Sequence, residues 1–137
     1  MRLGAYAGAI AVATLLALGV AHAQSESVQE VLGTWKGKIE LFDEPERTLV
    51  IKSVTRAGDT WIASVEYGPT GKKLGAFEGR VQKQRGATTL TFPISTTRKV
   101  ELSLVSNTEL RGLFKVSDGE GSWVSRRMVL QKTSDKP

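Results

Sequence analysis

Between Thr34 and Lys132 the chain repeats one pattern: short runs in which apolar residues occupy every second position, separated by turn residues. Alternation at period two gives a half-buried strand, because successive side chains of an extended chain point to opposite faces. Eight such runs are readable: 34–42, 47–55, 60–67, 73–83, 88–92, 98–105, 108–116 and 122–132. In the first, Trp35, Gly37, Ile39 and Leu41 oppose Lys36, Lys38 and Glu40; in the seventh, Leu110, Gly112, Phe114 and Val116 share a face. Only the second run, with Leu49-Val50-Ile51 contiguous, leaves its facing open. The breaks between runs are rich in Gly, Pro, Asp and Asn, as at Gly68-Pro69-Thr70-Gly71 and Ser117-Asp118-Gly119-Glu120-Gly121.

Connections this short cannot carry a parallel crossover, so the sheet must be antiparallel and wound in sequence order. An open eight-stranded sheet with one apolar face would leave that face wet and two edges unpaired. Closure into an up-and-down barrel removes both problems. The expected fold is therefore all-β, an eight-stranded antiparallel barrel. A two-sheet sandwich is the alternative, but its Greek-key links need a longer loop than any present.

Residues 1–23 do not share this pattern. A positive start at Met1-Arg2, an uncharged apolar run from Leu3 to Val20 and the small-x-small Ala21-His22-Ala23 read as a secretory signal peptide. The expected division is thus a leader over 1–23, a polar lead over 24–30, a barrel over 31–132 and a polar tail over 133–137. A periplasmic or secreted location is implied, with no transmembrane segment after cleavage. The 137-residue chain has no Cys, and its single His, His22, falls in the leader. A mature chain with neither residue excludes thiol and imidazole catalysis, disulfides and Cys- or His-ligated metals. No pair of its carboxylates is singled out for acid–base work. The acidic turns at Asp43-Glu44-Pro45-Glu46 and Asp118-Gly119-Glu120-Gly121 lack the ligand spacing of a calcium loop. The expectation is a non-enzyme without metal or cofactor.

The opening of the first run carries a resemblance. Leu32-Gly33-Thr34-Trp35 is similar to the Gly-x-Trp start of lipocalin-like proteins. The chain as a whole also resembles small secreted bacterial domains that open Leu-x-Gly-x-Trp-x-Gly and end on a basic-apolar strand, here Val31-Leu32-Gly33-Thr34-Trp35-Lys36-Gly37. In lipocalin-like barrels a basic residue near the last strand packs over the Trp and closes one end. The resemblance therefore implies a Trp35–Arg126 pair, since Val124, Met128 and Leu130 put Arg126 on the inner face.

An eight-stranded interior is just wide enough to be filled by side chains or to hold one small ligand. Large inward residues are abundant, yet Gly37, Gly75, Gly79 and Gly112 share their faces, so the inventory leaves both outcomes open. If a pocket exists, its candidate lining is Trp61, Tyr67, Phe77 and Phe114, and its occupant a small apolar or amphipathic molecule. The alternative function lies outside the barrel. Closure sets the last strand beside the first, so Arg127 joins Lys36 and Lys38 in a basic surface suited to an envelope protein, an anionic glycan or lipid headgroups. Nucleic acid is not expected, because the aromatic residues fall on the inner face and not among the cations.

Overall fold

The computed structural model describes residues 28–40 and 43–137. The leader expected over 1–23, and with it His22, lies outside them, as do Leu41 and Phe42 of the first run. Eight strands follow one another: β1 (Gly33–Ile39), β2 (Arg47–Ala57), β3 (Thr60–Pro69), β4 (Gly75–Gln84), β5 (Ala87–Ser95), β6 (Arg98–Ser106), β7 (Glu109–Ser117) and β8 (Trp123–Ser134). Each pairs antiparallel with its neighbours in sequence, and β8 returns to β1 through pairs such as Lys36 with Gln131 and Ile39 with Met128. The result is a closed up-and-down barrel, consistent with a lipocalin-like fold. Val31–Pro137 form one compact unit.

Alternation sorts the residues as expected on most strands. Ala63, Val65 and Tyr67 of β3, Val100 and Leu102 of β6, and Met128 and Leu130 of β8 are all buried. On β2 the facing is decided by a bulge. Leu49 and Ile51 point inward and pair with Tyr67 and Val65, but the register then slips so that Ser53 faces Ser64. Lys52 is the extra residue, and it switches the inner face from odd to even positions, which brings Val54 into the core.

β5 and β8 are among the strands that run further than their alternation suggests. β5 continues through Pro93 to Ser95, because Pro93 sits exposed beside a register shift where a missing N–H costs nothing to the ladder. β8 continues to Ser134, and the residues after it stay tied to β1. The Thr34 hydroxyl donates to the Lys136 carbonyl at 2.9 Å, and the Thr133 hydroxyl to the Thr34 carbonyl at 3.2 Å.

Gly37 and Gly112 are packed against, and do not leave empty space. A Cβ on Gly37 would lie 1.8 Å from the Val129 carbonyl oxygen, and one on Gly112 the same distance from that of Glu101. At both points a neighbouring strand bends across the position a side chain would take. One part of the barrel is therefore solid, filled by Trp35, Leu49, Ile51, Leu90, Phe92, Leu110 and Leu130, all fully buried. The other end is hollow.

Candidate functional site

In a meander, alternate turns share an end. The β1–β2, β3–β4, β5–β6 and β7–β8 connections all surround the hollow end, where a cavity of about 570 Å³ opens between them. That volume is ordinary for a small-molecule site. Its aromatic wall is Tyr67 of β3, Phe77 of β4 and Phe114 of β7, joined by Ile94, Val116 and Val124 nearer the turns. Beneath it lies Phe92, fully buried, with the Tyr67 ring edge-on at 5.6 Å and the Phe77 ring stacked at 6.1 Å between centroids. Three of the four expected lining residues thus meet in one place.

Trp61 does not join them. It has the same facing as Tyr67 but sits at the start of β3, six residues away, or roughly 20 Å along an extended strand. There it lies at the opposite end, under the Arg56 guanidinium at 5.8 Å. Shared parity puts two residues on one face and says nothing about their height along the barrel.

The Trp35–Arg126 pair is also corrected. Trp35 is fully buried, and its indole N–H donates to the Val31 carbonyl at 2.9 Å. A cation does cover its ring, but it is Lys132, at 5.0 Å, the residue paired with Trp35 in the β1–β8 register. Arg126 does face inward, yet it pairs with Phe114 and lines the cavity.

Cations dominate the polar part of the cavity. Arg47, Lys73, Arg98 and Arg126 line it against one carboxylate, Glu44, which is ion-paired with Arg47. Arg47 and Tyr67 are the most enclosed of the polar groups. Among the described residues, two buried side-chain polar atoms lack a hydrogen-bond partner, and they are Arg47 Nε and the Tyr67 hydroxyl. Burial pushes the Tyr67 hydroxyl up to about 12, with the Arg47 charge acting in the opposite direction. The sequence pattern did not single out Arg47, Lys73 or Arg98 because it follows strand faces. The signal lay in the alternate turns, whose flanks carry Arg47, Lys73 and Arg98.

The turns that frame the mouth are cross-braced. Thr70 N–H donates to the Glu46 carbonyl at 2.8 Å, and the Thr48 and Thr70 hydroxyls meet at 2.7 Å. Across the opening, Ser117 N–H donates to the Thr97 carbonyl at 2.7 Å, and Asp118 accepts from the N–H of Glu120 at 2.7 Å. Such bracing fixes the cavity walls before any ligand arrives.

On the outer surface, Lys38 and Arg127 flank an open depression with Arg111. Lys36 sits further along β1, opposite Gln131. Carboxylates are interleaved with these cations: Glu40 lies 4.0 Å from Arg127, and Glu109 2.6 Å from Arg111. The Gln131 amide, donating to Glu109 at 2.6 Å, holds that carboxyl below the usual range, and Arg111 adds to the effect. The described residues contain no group of three or more His, Asp or Glu side chains placed to hold a metal ion. No helix among them is long and apolar enough to cross a membrane. Comparison with protein-family models, with curated proteins and with solved structures gives no match.

Proposed function

We propose that this chain is a non-enzymatic binding protein of the periplasm or the extracellular space, taking a small apolar or amphipathic ligand into the open end of its barrel. The observation that carries this reading is the division of the interior. Large side chains fill one part completely, while Tyr67, Phe77 and Phe114 enclose about 570 Å³ at the other. Leaving that much apolar wall open gives up burial worth roughly 25 cal/mol per Å², which a ligand would recover. The leader-like 1–23 segment supports the location. A mature chain free of Cys and His supports a binding role over a catalytic one.

Binding through the outer basic surface is the weaker reading. Glu40 and Glu109 sit among Lys38, Arg111 and Arg127 and lower the field any anionic polymer would meet there.

Native mass spectrometry of the protein purified from its own host tests the proposal. The expected result is a population carrying one small-molecule adduct, which is lost when Val116→Trp narrows the cavity. Protein that is always bare and takes up no apolar probe added to it would contradict it.

A further inference from the structure

Resting on the carrier reading above, we infer that the ligand carries an anionic oxygen head, a carboxylate or a phosphate monoester, received by Arg47 Nε–H and the Tyr67 hydroxyl. Native proteins leave very few buried polar atoms unpaired, because each one costs its lost hydration. Here the two such side-chain atoms among the described residues belong to residues that line the same cavity. Neither finds an acceptor among the described residues, so a ligand oxygen entering the cavity can supply one.

The chemistry of the two groups restricts that ligand. Guanidinium N–H can only donate, and a phenol whose proton is held as firmly as that of Tyr67 is a donor throughout the physiological range. Two donors on residues that line one cavity call for an acceptor, and one of them is charged, so an anionic acceptor makes the stronger bond. Lys73, Arg98 and Arg126 add positive charge to the walls, whereas the single carboxylate, Glu44, is already engaged by Arg47. A cationic head would meet repulsion, and a neutral alcohol would forgo the charge-assisted bond. The rest of the ligand must be apolar, since Phe77, Phe114 and Val116 are what lies against it.

Calorimetric titration with dodecanoate, dodecyl phosphate and dodecanol, all below their micellar concentrations, separates head from tail. At least one of the two acids is expected to bind wild-type protein roughly tenfold to a hundredfold more tightly than the alcohol. Whichever acid gains more identifies the head. Tyr67→Phe, which keeps the ring and removes only the oxygen, and Arg47→Met should each shrink that gap while leaving dodecanol binding unchanged. Equal affinity for the acids and the alcohol would overturn the head assignment and leave the carrier reading standing. A preference that survives both substitutions would do the same. If none of the three binds, the carrier reading for aliphatic ligands fails together with the inference.

Discussion

Tyr67 joins the solid part of the barrel to its cavity: its ring packs edge-on against Phe92 while its hydroxyl meets no partner among the described residues. Burial raises its ionisation from the ordinary 10.0 to about 12. The linkage has a definite sign. Below pH 10 the hydroxyl is protonated in both folded and unfolded chains and contributes no pH dependence. Between pH 10 and 12 the unfolded chain loses the proton first, so stability falls as pH rises, by about 3 kcal/mol at most. The other tyrosine, Tyr6, falls in the leader expected over 1–23, so protein beginning at Gln24 has a single phenol to follow. Tyrosinate absorbance of the mature protein should therefore titrate near pH 12 while folded, and Tyr67→Phe should lose less stability than wild type across that window. Titration at the ordinary value would mean that the hydroxyl is hydrated and not enclosed.

At the scale of the strand, alternation made the faces legible, and it failed where a single residue shifts the count. Lys52 is such a residue: nothing in its chemistry marks a bulge, but its insertion moves Val54 from the outer face to the core. The glycines were legible as exceptions, without a reason for each. Gly112 and Gly37 prove to be close approaches of backbone, where the Glu101 and Val129 carbonyls stand 1.8 Å from a would-be Cβ. Gly112→Ala must push two strands apart, and it is expected to cost about 3 kcal/mol or more. Gly58→Ala, in a turn at φ +64° with nothing within 4 Å of a would-be Cβ, should cost only about 1 kcal/mol. Urea unfolding of the two variants decides it, and equal losses would mean that β7 can relax away from β6.

Taken whole, the barrel followed from connection length alone, because a meander of eight amphipathic strands has few ways to bury one face. Height along the barrel did not follow. Periodicity grouped Trp61 with Tyr67, and only the register separates them into opposite ends. The same blindness placed Arg126 over Trp35, where β8 in fact brings Lys132. The polar part of the cavity, assembled from four turns distant in sequence, needs the closed topology before Arg47, Lys73, Arg98 and Arg126 can be seen as neighbours. This arrangement gives the molecule a solid part that holds the fold and a hollow end free to bind. Amide chemical-shift mapping of the isotope-labelled protein, titrated with dodecanoate, tests that division most directly. Signals of Gly68, Gly75, Phe77, Phe114 and Val116 around the cavity should move, while the indole N–H signals of Trp35 and Trp61 stay in place. Shifts confined to the outer depression at Lys38, Arg111 and Arg127, or no shifts at all, would contradict the account.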